Sequence, residues 1–479
     1  MTQLGGAVGA FGLAVLVLGP TRTWRLGGLA AWALGCLALA VHLAPHGHHR
    51  VIAAAAVVGV IAAILLAWAF VRVPWLLAVA VLACAPARFP VHIGHSATAS
   101  GNLLLPMYLV VAAAAIALLW ELFGDETRSR ELGPLAWPIA AFAAWNGLAF
   151  LWTVDVTEGA KYLLFYFLPF GLLAVSLSRL PWLIGGVKTL VVELGLMGLV
   201  FAVIGCVQYL TRNVYWNPKV KVDNAYAPSG WFYRVNSVFY DPSIYGRFLV
   251  VAILAWLVVA LRSRRWVPPA ALAVALVTWV GLVPSFSQSS FVALGAGLVV
   301  LIGVLWGRRS ILPIAVVLVL VAIASLAVPQ VRHRVLGKAS SSRATDGRTK
   351  LVKNGFRLAL HNPFGVGTGG FRRGYAKLTH QAGTPKAAAS HDTPITVAAE
   401  LGIPGLILFV WLIVVAFGLP FRIATRAGPP IARSASLVFG LALVAIVVHS
   451  LFYNSLFEDP LFWGALALSA VAARAAEGS

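Results

Sequence analysis

Residues 185–210 read GGVKTLVVELGLMGLVFAVIGCVQYL, a run interrupted by only two charges, Lys188 and Glu193. As a helix this run reaches roughly 39 Å at 1.5 Å per residue, more than the ~30 Å of hydrocarbon in a bilayer. It lacks the period-two alternation of a barrel strand. Working outward, comparable apolar runs fall near 4–19, 26–44, 51–71, 73–86, 103–123, 134–152 and 160–178 on one side. On the other side they fall near 239–261, 268–284, 288–306, 311–329, 395–418, 435–455 and 460–475. Backbone polar groups have no water to bond in lipid, so each run must satisfy them internally. The sequence therefore predicts an all-α, polytopic transmembrane bundle of 12–15 spans. The first and fourth runs are short enough to be re-entrant or fused to neighbours.

Composition agrees. Of 479 residues, 60% are hydrophobic and only 11% charged, against roughly 25% charged in soluble domains. Lys and Arg number 36 and acids 15, a formal charge of +21. So apolar a chain offers no wide basic groove for a phosphate backbone, so nucleic acid is not the expected partner. The lipid bilayer is.

Short-loop cations orient the bundle. Arg22, Arg25, Arg72, Arg128, Arg130, Arg179, Lys188, Arg262, Arg264, Arg265, Arg308, Arg309, Arg422, Arg426, Arg433 and Arg474 fall on alternate connections, which are assigned to the cytoplasm. Four regions follow: transmembrane helices over 1–200, further spans over 201–329 with an external loop at 212–238, a long extracytoplasmic loop over 330–394, and C-terminal spans over 395–479. The N-terminus carries no positive region ahead of its first apolar run, so no cleavable leader is expected there. Cys36, Cys84 and Cys206 all fall in spans and suggest buried thiols rather than a disulfide or metal framework.

The external segments hold most of the remaining polar chemistry. In RNVYWNPKVKVDNAYAPSGWFYRVNSVFYD, residues 212–241, cations alternate with aromatics. This pattern suits an interfacial belt or a surface that stacks on sugar rings. Arg234 is followed by Asp241 and then Arg247, which a helix from about 239 carries roughly two turns into the membrane. A buried charge there is either functional or paired with an acid such as Asp241.

Residues 330–394 hold 12 Lys and Arg but only two acids, Asp346 and Asp392. The excess fits either a solvated face or an anionic ligand at the outer leaflet. Within DGRTKLVKNGFRLALHNP, the spacing of Leu351/Val352, Phe356 and Leu360 predicts an amphipathic helix lying among headgroups. Asp346 is its expected N-cap, Arg348 sits in its first turn, Lys350, Lys353 and Arg357 project elsewhere, and Pro363 stops it.

The following GVGTGG spells G-x-G-x-x-G, but no strand precedes it and no acid stands about 20 residues on. A tight turn is expected in place of a dinucleotide site, with amides aimed at a phosphate as the lesser option. In SHDTPITVAAELGIPG, His391 stands beside Asp392 at the outer boundary. An imidazole there can titrate near neutrality and accept a proton from a hydroxyl. Glu458 and Asp459, in FYNSLFEDPLFW, are placed outside as well, to balance the basic loop or to orient an arginine or histidine. The clusters His46/His48/His49 and His92/His95 lack the further ligands a metal would need.

Together Arg234-VNSVFYDPSIYG-Arg247, Arg348-TKLVKNGFRLALHNPFGVGTGGF and His391-DTPITVAAELGIPG resemble the O-antigen ligase and polymerase superfamily over roughly residues 200–420. In that family the histidine is followed by Asn, Ser or Gln, nine residues, then Gly-x-x-Gly. Here Asp392 takes the second place, and Gly402 and Gly405 close the motif. The substitution keeps a hydrogen-bond acceptor and loses an amide donor.

The resemblance implies a metal-independent glycosyltransferase, without cofactor, in the bacterial plasma (inner) membrane with its active site on the outer face. It would move a glycan from a polyprenyl (undecaprenyl) diphosphate carrier to a hydroxyl on a glycan, lipid or protein acceptor. His391 would be the general base, and Arg234 and Arg348 would hold the donor diphosphate, with Arg247 and Arg357 as companions. Asp392, Asp241, Glu458 and Asp459 would support them. A Wzy-type polymerase and a protein O-oligosaccharyltransferase differ only in acceptor. A flippase of lipid-linked sugars is the competitor from another class, disfavoured because no halves repeat and few charges lie within spans.

Overall fold

The computed structural model describes residues 1–44, 49–92, 100–124, 131–213, 224–227, 230–264, 266–310, 338–380, 390, 392–426 and 428–477. These residues form a polytopic helical bundle. Nine of the described helices are long and apolar enough to cross a bilayer, Ile184–Thr211 among them. The short runs noted at both ends of the first hundred residues become Thr2–Leu18 and Trp75–Cys84, below spanning length. The run at 311–329 lies outside the described residues. Among the described residues, two small antiparallel hairpins, Phe89–His92 with Ser100–Leu103 and Asn224–Ala227 with Gly230–Tyr233, accompany the helices.

The larger of two apolar clusters among the described residues is the core of the bundle, where Phe142, Phe167, Phe409, Phe457 and Trp463 meet at stacked, tilted and edge-to-face angles. Two of its helices, Pro242–Arg262 and Pro430–Ser450, are shielded by neighbours over most of their length. Others, such as Ile184–Thr211, leave Leu196, Val200 and Val203 exposed to the surroundings, as a lipid-facing helix should.

The cytoplasm-assigned cations do more than set topology. Arg179 reaches Glu121 at 2.8 Å and Glu131 at 2.7 Å, and Arg25 reaches Glu131 at 2.9 Å. Arg474 donates to the carbonyls of Glu131 and Ser178. Three cations that look like separate orientation signals in sequence thus tie five segments together at one end of the bundle.

The basic loop departs from expectation at its start. Its helix runs Lys338–His361, so Asp346 lies inside it and is not its N-cap. Arg348 accordingly lies well past the first turn, not within it. The helix does stop before Pro363, as expected. It is also apolar on two sides. Leu358 is buried against Val366, Phe371, Tyr375 and Ala399, whereas Val352, Phe356 and Leu360 form an exposed stripe beside Lys353 and Arg357.

Candidate active site

The described candidate residues gather around the start of the Thr393–Thr425 helix and the nearby start of Pro242–Arg262. Asp392 is the N-cap of the first, accepting at Oδ1 from the Ile395 amide at 3.0 Å. Its own N–H donates to Ser390 Oγ, which also lies 2.9 Å from Thr396 Oγ1. This local ring explains the residue that follows the histidine. An N-cap needs a side-chain acceptor, which Asp, Asn and Ser all supply, so the lost amide donor does not disturb the cap. Burial raises the Asp392 carboxyl above its ordinary range, against the stabilising Ile395 bond. His391 itself lies outside the described residues.

The same helix breaks at Gly402, whose φ of 69° lies in the left-handed region. The break frees two carbonyls and an amide, and the turn after the basic helix supplies donors for the first and an acceptor for the second. Val366 N–H bonds Ala399 O at 2.9 Å, Gly367 N–H bonds Glu400 O at 2.9 Å, and Ile403 N–H bonds Pro363 O at 2.8 Å. The two chains are so close that a Cβ at Gly402 would stand 2.2 Å from the Pro363 carbonyl oxygen, and one at Gly365 2.2 Å from that of Glu400.

Glu400 completes the joint. Its carboxylate accepts from the Gly369 amide at 3.0 Å and the Phe371 amide at 3.1 Å. The amides of the glycine-rich turn that could have served a phosphate are therefore occupied from within the chain. GVGTGG is a docking turn for the helix that follows His391, not a phosphate cradle. In sequence Glu400 is hidden by the otherwise apolar run around it. Its spacing from the glycines was the only available signal.

Arg357 lies exposed on the basic helix. That helix approaches the same joint, since a Cβ at Gly355 would meet Ile395 Cγ2 at 2.8 Å. Arg348 is on the same helix, and its side chain lies outside the described ones. Two neighbouring cations of the loop are engaged elsewhere: Arg373 pairs with Asp155 at 2.9 Å, and Arg372 approaches Glu158 at 3.9 Å. Part of the loop's excess charge is thus matched by acids ahead of and within the Val156–Ser178 span.

Arg234 is held at the start of the Pro242–Arg262 helix. Its Nε donates to Ser285 O at 3.1 Å and Nη2 to Ser243 Oγ at 3.3 Å. The segment carrying it is pinned on both sides, by Val235 N–H to Pro284 O and by Gln208 to Asn236 and Ser237. Asp241 caps this helix through the Ser243 amide at 2.6 Å and is not the acid that pairs with Arg247.

Arg247, only 2% exposed, instead forms an ion pair with Asp459 at 2.9 Å and donates to Ser455 Oγ at 2.8 Å. Asp459 also accepts from the Leu461 amide at the start of the Pro460–Glu477 helix. A cation that the sequence does not mark joins here: Arg88 donates to Glu458 O at 3.1 Å. Burial raises the Glu458 carboxyl, while Arg88 and Arg247 pull it back. Arg88 follows a short apolar helix with nothing nearby in sequence to mark it. Only folding brings it to residue 458.

The structure therefore places Asp392 and Glu400 on one helix, with the helix of Arg357 packed against it at Gly355, and Arg234 and Asp241 at the start of the other. Arg247, Glu458 and Asp459 occupy the connection between the last two helices. Thr393 Oγ1 donates to Asn454 Oδ1 of that connection at 3.0 Å, so the two groups are neighbours.

No curated protein matches the chain. The family model described as O-antigen ligase matches residues 273–410, a stretch that holds Arg348, Arg357, the docking turn and the His391 helix start. Over that stretch, less than a third of its length, this multi-pass membrane chain is similar to the O-antigen ligase family.

Proposed function

We propose that the chain is a glycosyltransferase of the bacterial plasma membrane that works at the outer face. It moves a glycan from an undecaprenyl diphosphate carrier to an acceptor hydroxyl during assembly of envelope polysaccharide. The observation that carries this reading is the O-antigen ligase match, because it covers the only stretch that combines Arg348, Arg357 and His391. Attack of a hydroxyl on the anomeric carbon expels a diphosphate, and negative charge grows on that leaving group. Arginine donors held in a water-poor site stabilise that charge without reorganising. Arg234 and Arg348 are assigned to the diphosphate, with Arg357 beside them. His391 accepts the acceptor's proton as general base.

The ion pair of Arg247 with Asp459 favours a supporting role for that arginine over a direct phosphate contact. Asp241, Asp392 and Glu458 are likewise assigned support, as caps and as a buried partner. A Wzy-type polymerase and a protein O-oligosaccharyltransferase would use the same donor half with a different acceptor.

The test is reconstitution of the purified protein with a polyprenyl-diphosphate glycan and candidate lipid, glycan and protein acceptors, with and without chelator. Transfer that survives chelation and disappears in His391→Ala, with donor binding retained, is expected. Full transfer by His391→Ala defeats the mechanism, and chelator-sensitive transfer defeats its metal independence.

A further inference from the structure

The connection between the last two helices, residues 451–459, touches both halves of the candidate site. Asn454 accepts from Thr393, the second residue after His391 in the chain. Ser455 and Asp459 hold Arg247, one turn and a half into the helix that begins just after Arg234. Glu458 O receives Arg88 from a third direction. The connection is anchored below by Phe457, which stacks on Phe142 at 4.9 Å and meets Trp463 at 6.0 Å. Its own turns are closed by Phe452 N–H to His449 O and Asp459 N–H to Leu456 O. Ser455 and Asp459 are each 4% exposed, and a buried charge without a partner would be costly. Arg247 and Asp459 therefore bind each other's segments firmly.

We propose that residues 451–459 are a positioning element that sets the Arg234 segment against the His391 segment, with the Thr393–Asn454 bond as its adjustable contact. This deepens the transferase reading and rests on it. Helix starts are where the chain changes direction, so a small rotation at either one displaces the residues just upstream. Holding both starts on one rigid connection keeps base and diphosphate donors in register, and orientation of this kind is worth large factors in rate. Asn454 and Thr393 are suited to probing it. Each is small, each has its polar contact with the other, and neither carries a charge whose loss would strand a partner.

The experiment compares Asn454→Ala, Thr393→Val, their double variant and Thr393→Ser in the full chain in nanodiscs. A neutral hydrogen bond is worth about three- to tenfold in rate when its net value is expressed wholly in the transition state. Each single truncation is expected to lower kcat by that factor with KM for the lipid-linked donor unchanged. The double variant is expected to lose no more than one single, and Thr393→Ser to retain wild-type kcat.

Hydrogen exchange gives a readout that needs no turnover. Amides over 390–396 are expected to exchange faster in Asn454→Ala, with those of the Pro242–Arg262 helix centre unchanged. Wild-type kcat in the truncations, multiplicative losses in the double variant, or exchange that rises evenly along all helices overturns the proposal. A wild-type protein without transfer activity defeats the transferase reading instead, and the exchange data then decide the positioning role alone.

Discussion

Asp392 and Glu458 are carboxyls that burial holds above their ordinary range, and both lie just outside the spanning segments. A raised folded value means that the native state keeps a proton which the unfolded chain has released. Their contribution to stability is therefore complete below the unfolded value of about 4. It is lost as pH rises through the higher folded values. Asp392→Asn keeps an N-cap acceptor and removes the titration. Thermal unfolding of the solubilised variant is expected to show a shallower decline from acid toward neutral pH than wild type. An unchanged profile would show that Asp392 does not contribute to the decline. The same residue illustrates what a motif can hide: in sequence it is a departure from a family pattern, and in three dimensions it is the N-cap of its helix.

At the scale of elements, the joint between the glycine-rich turn and the broken helix carries the clearest consequence. Gly402 combines a left-handed φ with a neighbouring carbonyl 2.2 Å from where a Cβ would sit. Left-handed backbone costs a non-glycine residue about 1–2 kcal/mol before any clash is counted. Gly402→Ala is expected to lower stability by at least that much, read as a drop in melting temperature. It should also increase proteolysis between residues 361 and 371, where the turn undocks. Alanine tolerated with unchanged melting would contradict the joint.

The glycines and the histidine motif were legible in sequence as separate patterns of spacing. Their meeting was not, because the bonds Val366–Ala399 and Gly367–Glu400 link residues more than thirty positions apart. The misplaced start of the basic helix has a local cause. Asp346 is a good capping residue, but the polar stretch from Lys338 continues the helix through it, and capping propensity is only a weak prior inside a longer helix.

For the whole molecule, apolar runs and the asymmetry of short-loop cations are strong because they answer to the bilayer rather than to any particular neighbour. They support the external assignment of residues 330–394. In a chain whose native Cys36, Cys84 and Cys206 are replaced by serine, a cysteine at exposed Lys350 is expected to react with a membrane-impermeant maleimide in intact cells. One at exposed Arg426 should react only after permeabilisation. The reverse pattern would invert the bundle and move the proposed site to the cytoplasm.

Length, hydropathy and loop charge thus determined by themselves that this chain crosses a membrane many times, which way it is expected to face, and which few polar residues deserve chemical interest. These properties are sums over local sequence, and the solvent reads them segment by segment. Only the tertiary structure decided how the charges are used. Arg247 and Arg179 look alike as isolated cations near apolar runs, yet each is matched to acids brought from distant segments. Arg88 became relevant only when folding brought it against residue 458. Such pairings depend on which helix ends meet, and that is set by packing across the bundle, which no local pattern encodes.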